Sequence, residues 1–367
     1  MGVIRVRRQE VTPRSLSDLV AGEGYAPLAW QSSTPDGAWS SKPPVSRSDD
    51  LRRILRLPRR PPPEGVRADA MIELVTSRFA KASGTDAHGQ TCRCAALNRV
   101  CITRLRLAQA WALYELGIRG GLLGFVTVGG GKTILDILAP LALRDCKLAV
   151  LLVPPTLVPQ LIGDYQAIAG HFRVPSLVVQ DKSGFRSLAE GEPILHVLPY
   201  SRLSRPESTA FLEKLRPDAI FADEGHKLRH AGTATTGRVL RYFTAHPETR
   251  FAGWSGSFTD ASLKDYGHLA ALALREKSPL PLDATAVAEW ATALDPSDWP
   301  APPGALLDLC EPGEHVQEGF RRRLVETAGV VSSSGSTLDA RLVIEPRATP
   351  EVPEVVERAL SNLRGAW

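Results

Sequence analysis

The sequence predicts an α/β fold, a parallel sheet flanked by helices and organised around a phosphate-binding loop. Three observations predict it. From Leu122 onward, short continuous apolar runs alternate with helical stretches. A glycine-rich turn, Val128-Gly129-Gly130-Gly131-Lys132-Thr133, lies between one such run and a helix start. A later run, Asp218-Ala219-Ile220-Phe221-Ala222, ends in two adjacent carboxylates, Asp223 and Glu224. Apolar strands without in/out alternation need cover on both faces, and crossover helices between parallel strands provide it.

The β-like runs fall at 122–128, 148–153, 176–179, 194–198, 219–222 and 251–254. Helical stretches such as 157–169 and 207–215 lie between them. Upstream, residues 66–82 have helical spacing, and 103–118 read as an amphipathic helix carrying Leu105, Leu107, Ala108, Trp111, Ala112 and Leu116. The organisation expected is a basic, Pro/Ser-rich and largely disordered segment over 1–65, a connecting segment over 66–102, the phosphate-binding domain over 103–275, and a linker with a C-terminal extension over 276–367. Within the first segment, Leu51, Ile54, Leu55 and Leu57 hint at a helical turn or two, which Pro61-Pro62-Pro63 ends. In the last, 278–304 reads as a long connection, 315–329 as a basic amphipathic helix, 340–344 as a strand and 353–364 as a helix.

Composition narrows the function classes. The chain has 367 residues and 43% apolar content, which is ordinary for a globular protein. No stretch approaches the roughly 18 apolar residues of a membrane span. The N-terminus lacks the apolar core of a secretory signal. Five cysteines, an odd number, do not suggest a disulfide framework, so a reducing cytoplasmic (intracellular) setting is expected. The net charge is +4, and residues 1–60 hold 11 Lys/Arg against 6 Asp/Glu. Such a basic arm fits nucleic-acid contact and a solvated tail equally well.

The loop carries the first chemistry. Gly129, Gly130 and Gly131 let backbone N–H groups converge on an anion, and the helix N-terminus adds its positive dipole end. Lys132 can reach the β/γ-phosphates of a nucleoside triphosphate, and the Thr133 hydroxyl can sit on Mg²⁺. The full pattern places a further glycine where Val126 stands. Asp223 lies 91 residues after Lys132, room for several strand–helix units. An acidic residue at a strand's carboxyl end can hold Mg²⁺, and its neighbour Glu224 can orient and deprotonate water. An Asp/Glu pair that merely caps the next helix is the other reading.

Taken together these residues resemble the first RecA-like motor domain of superfamily 2 helicases and translocases, the DEAD/DEAH-box and chromatin-remodeller-like group. Asp223-Glu224-Gly225-His226 is similar to the family's Asp-Glu-x-His box. Leu105-Arg106-Leu107-Ala108-Gln109 resembles the signature whose glutamine contacts adenine. Leu151 through Gln160 looks like motif Ia, Leu198-Pro199-Tyr200-Ser201-Arg202-Leu203 like the segment before the acidic box, and Gly253-Trp254-Ser255-Gly256-Ser257-Phe258-Thr259 like motif III. The likeness covers about residues 103–275, and such runs are also typical of helicase-like proteins of phages and mobile elements.

The resemblance implies an ATP hydrolase that uses ATP and Mg²⁺. It assigns catalysis to Lys132, Asp223 and Glu224, adenine contact to Gln109, and coupling to His226, Ser255 and Ser257. It assigns nucleic-acid contact, DNA favoured over RNA, to Pro155 and Thr156. It also implies a second RecA-like domain that supplies arginine fingers. No matching arginine pattern follows residue 275, where 92 residues remain, so that domain is expected further along a longer motor or on another chain. The alternative is an ATP-binding adaptor without motor activity.

One motif lies outside this scheme. His88, Cys92, Cys94 and Cys101 offer three thiolates and an imidazole, the donor set of a closed zinc site. A set of small cysteines beside an exposed histidine is the plain reading.

Overall fold

The computed structural model describes residues 42–333 apart from 82–91, 93, 95, 182, 206, 257–261 and 298. Among the described residues, three helices precede the sheet: α1 (Asp49–Arg56), α2 (Gly65–Phe79) and α3 (Leu107–Arg119). The alternating part then runs β1 (Leu122–Phe125), α4 (Lys132–Ala142), β2 (Leu148–Val153), α5 (Val158–Ile168), β3 (Ser176–Val179), β4 (Arg186–Ser187) and β5 (Ile194–Pro199). It continues through α6 (Tyr200–Leu203), α7 (Glu207–Leu215), β6 (Ala219–Asp223), α8 (Ala234–Ala245), β7 (Arg250–Ser255) and α9 (Gly267–Leu274). The final described elements are α10 (Ala284–Leu294), α11 (Val316–Val325) and β8 (Val330–Ser332).

The eight strands form one sheet in the order β4-β3-β5-β2-β6-β7-β1-β8. Every pairing is parallel except that of the two-residue β4 with β3. The expected α/β fold is therefore the observed one, and it is consistent with a RecA-like domain. Successive strand residues enter opposite cores. Ala149, Leu151 and Val153 join a core with Trp111, Leu135 and Leu161 from α3, α4 and α5. Val150 and Leu152 join the other, with Leu51, Leu269, Trp290 and Phe320 from α1, α9, α10 and α11. Two covered faces explain why the strands read as unbroken apolar runs.

Strand order positions the site. From β1 the chain crosses past β7 and β6 to reach β2, and it returns later to fill the gap. The order thus reverses beside β1, and in open α/β sheets ligands bind outside the carboxyl ends of strands at such a point.

Three expectations need correction. The strand expected over 122–128 stops at Phe125, because the chain must leave the sheet to form the loop; Val126 N still donates to Ser255 O at 3.0 Å. The disorder expected over 1–65 does not extend to 49–56. There Ser48 caps α1 by accepting from Leu51 N, and Leu51 and Ile54 are fully buried. The long connection over 278–304 contains α10, which Asp283 caps by accepting from Thr285 N and Ala286 N and which buries Trp290. The basic helix expected over 315–329 is α11; the elements expected over 340–344 and 353–364 lie outside the described residues. No helix among the described residues is long and apolar enough to cross a membrane.

Candidate nucleotide site

The loop between β1 and α4 is shaped by its glycines. Gly129 and Gly131 have φ of 80° and 79°, the left-handed region that side chains resist. Gly130 is needed for space: a Cβ there would stand 2.7 Å from Val126 Cγ1 and 2.9 Å from Thr127 O. Val126, which replaces the glycine of the full pattern, is completely buried and forms the floor of the turn. Gly131 caps α4, so Lys132 and Thr133 open the helix with its first N–H groups directed outward.

Neighbouring groups brace this loop. Gln109 is buried; its Oε1 accepts from Arg106 N at 2.8 Å and its Nε2 donates to Gly131 O at 3.1 Å. Arg106 Nη1 donates to Gly129 O at 2.5 Å. On the opposite side Thr127 N donates at 3.0 Å to the hydroxyl of Ser333, which follows β8.

The acidic pair reaches the loop from β6, two strands away. Lys132 Nζ lies 2.6 Å from Glu224 Oε1, and both side chains are largely withdrawn from water. Glu224 has φ 50° and ψ 52°, a left-handed conformation unusual for a residue with a side chain. Its backbone N donates to Asp223 Oδ1 at 2.9 Å. His226 Nδ1 lies 3.2 Å from Glu224 Oε2 and 2.9 Å from Ser255 Oγ, and Ser255 Oγ donates to Glu224 Oε2 at 3.2 Å. Tyr200 OH donates to Asp223 O at 2.8 Å, so the segment before the acidic box supports its backbone.

Electrostatics single out Asp223. Burial, then the charge of Glu224, push its carboxyl from 3.8 up to about 6, against the pull of Lys132. A desolvated carboxylate and a hydroxyl at the mouth of a phosphate cradle suit a hard cation that takes oxygen ligands. Asp223 and Thr133 are therefore fit to hold Mg²⁺.

Asp136, one turn after Lys132 on α4, is a site residue that the sequence motifs do not mark. Its carboxylate accepts from Trp254 Nε1 at 2.9 Å, and Trp254 stacks on Phe221 with ring centroids 6.0 Å apart. Burial first, then the charge of Asp223, hold this carboxyl well above its usual range. A lone carboxylate within Ile134-Leu135-Asp136-Ile137-Leu138 is its only signal in the sequence.

Pro155 and Thr156 are exposed in a short 3-10 turn at the carboxyl end of β2. Ser257 and His88 lie outside the described residues. Cys92, Cys94 and Cys101 do come together, away from the glycine loop, and among the described residues the imidazole that meets them is His171.

No protein-family model matches the chain, and no curated protein matches it either. Among solved structures it is similar to the UvsW helicase from bacteriophage T4, at 15% identity and a TM-score of 0.31, over 45% of this chain and 59% of that one. The chain thus matches less than two thirds of that helicase's length.

Proposed function

We propose that this chain is an ATP-binding, helicase-type motor half, an ATPase whose turnover responds to nucleic acid. The observation that carries the reading is the meeting of Lys132, Glu224, His226 and Ser255 above a glycine-shaped anion cradle. A loop lysine held, among the described residues, by one carboxylate can exchange that partner for a phosphate. The triphosphate's γ-oxygens would take Lys132 from Glu224 and leave that carboxylate free to accept a proton from water. The water oxygen bonds to the γ-phosphorus as the bond to the ADP oxygen breaks. Thr133 and Asp223 would hold Mg²⁺, which neutralises charge on the phosphates. His226 and Ser255 form a hydrogen-bonded path from Glu224 to β7. Gln109, tied to Gly131, is the candidate for adenine contact, and Pro155 and Thr156 for the nucleic-acid backbone, with DNA favoured.

Phosphate release measured with and without single- and double-stranded DNA or RNA tests the reading. Stimulation by nucleic acid supports it. Nucleotide binding with no stimulated release by any nucleic acid would replace it with the adaptor reading. A second RecA-like domain added in trans should raise the rate, since an arginine finger is worth roughly 10³–10⁵ in related phosphoryl transfer.

A further inference from the structure

The chain between α2 and α3 contains three of the five cysteines, and the structure shows what holds them. Leu97 N and Arg99 N both donate to Cys94 O, at 3.2 and 2.8 Å, closing a tight turn. That turn sits on the C-terminal end of α5. Cys94 Sγ donates to Ala167 O at 3.6 Å, and Arg99 pairs with Asp164 at 3.4 Å. A Cβ on Gly170 would stand 2.9 Å from Cys92 Cβ, so glycine permits the approach. The segment after α5 is fastened independently. Ala80 and Phe172 form an antiparallel bridge, Lys81 N donates to His171 O at 2.9 Å, and Arg173 N donates to Phe79 O at 2.8 Å. These main-chain bonds fix His171 where its Nε2 lies 3.4 Å from Cys94 Sγ.

The four donor atoms, three sulfurs and one ring nitrogen, all lie within 4.8 Å of one another. Cys92 Sγ and Cys101 Sγ are 3.4 Å apart, too far for a disulfide bond of about 2.05 Å. Zinc bonds of about 2.3 Å to sulfur and 2.0–2.1 Å to nitrogen require tetrahedral edges of roughly 3.4–3.8 Å. The observed spacing surrounds those edges. Three soft thiolates and an imidazole are a donor set suited to zinc, and four protein ligands leave no open position for chemistry. We infer that Cys92, Cys94, Cys101 and His171 bind a structural zinc ion, the thiols releasing their protons to solvent on binding. The ion staples the α2–α3 connection to α5, the helix that starts beside Pro155 and Thr156. His88, nearest in sequence, lies outside the described residues.

Elemental analysis of the full chain, expressed with zinc and purified without chelator, tests this without any nucleotide. Roughly one zinc ion per chain is expected, as one closed four-ligand site requires. His171→Ala and Cys101→Ser should lose it, and His88→Ala should keep it. Cobalt substitution of the wild-type chain covers the case in which those variants fail to fold. It should give thiolate-to-cobalt charge-transfer bands and the intense d–d bands of a tetrahedral site. Zinc retained in folded His171→Ala but lost in His88→Ala would overturn the ligand set. A metal-free wild type with an octahedral cobalt spectrum would overturn the site, and stoichiometric iron would overturn the choice of metal. ATP binding can fail while zinc is present, so this result and the ATPase reading stand or fall separately.

Discussion

The carboxyl edge of the sheet and the clasp between α1 and α11 each hold a cation withdrawn from water, in opposite ways. At the edge, Lys132 meets the side-chain carboxylate of Glu224 at 2.6 Å. At the clasp, buried Arg323 donates through Nη2 to two main-chain carbonyls, Ile54 O at 2.6 Å and Leu57 O at 2.5 Å. A carboxylate can turn away when a better anion arrives, whereas the carbonyls at the end of a packed helix cannot. On the proposed function the first partnership is exchangeable and serves chemistry; the second is permanent and serves architecture. Arg322 combines both kinds, bidentate to the Glu314 carboxylate at 3.0 and 2.8 Å and donating to the main-chain Leu309 O at 3.0 Å, so the Arg321-Arg322-Arg323 run is fastened within the molecule through two of its members.

Substitutions can break this contrast, and the largest effect is expected at the edge. Lys132→Ala should abolish ATP binding while leaving the thermal transition nearly unchanged. A calorimetric titration showing wild-type affinity would end the assignment of the loop. Glu224→Gln should bind ATP normally and lose roughly 10²–10⁴-fold in turnover, the usual worth of a positioned base. Persistent turnover in that variant points to another base.

At the clasp the order of effects reverses. Arg323→Ala should cost about 1–3 kcal/mol of folding free energy by leaving buried carbonyls unsatisfied, with ATP affinity unchanged. Denaturant melts of the variant measure the first and titration the second. Arg323→Met should cost less, because Nε and Nη1 of the arginine are already buried without hydrogen-bond partners among the described residues. A loss of nucleotide affinity in either variant would show that the two regions are not independent.

The two regions should also separate by pH, the smallest effect. Asp223 is raised from 3.8 to about 6 by burial and by Glu224. Its protonated form is favoured in the folded chain, so this group lowers folding stability as pH rises from about 4 to 6. Mg²⁺ needs the ionised form, so Mg²⁺-dependent ATP affinity should weaken as pH falls through about 6. Glu314 behaves oppositely: the Arg322 hydrogen bonds lower it from 4.5 to about 2. Its contribution is complete above 4.5 and is lost only as pH falls toward 2. A titration of ATP affinity and of folding stability between about pH 4 and 8 should therefore show the first failing while the clasp persists. Affinity that stays constant down to about pH 5 would remove Asp223 as the metal ligand.

Much of the site is legible in the sequence. Lys132 and Thr133 do open a helix behind left-handed glycines, and Asp223 does end a buried strand with Glu224 directly after it. Val126, a departure from the loop pattern, is a buried floor. The clasp is not legible there. Leu51 and Ile54 lie among prolines, serines and charges, and nothing local shows that α10 and α11 cover them. Asp136 and Trp254 are equally hidden, because their meeting depends on β7 lying beside β1.

The sequence by itself determined the strand, the glycine turn, the helix start and the acidic strand end. Each depends on backbone conformation and spacing within a few residues. The tertiary structure decided that Glu224 reaches Lys132 across β7, that Arg323 fastens α1, and that His171 joins the three cysteines. Those outcomes depend on strand order and on how helix ends approach one another. Both arise from burying two cores at once, and no local period along the chain carries that information.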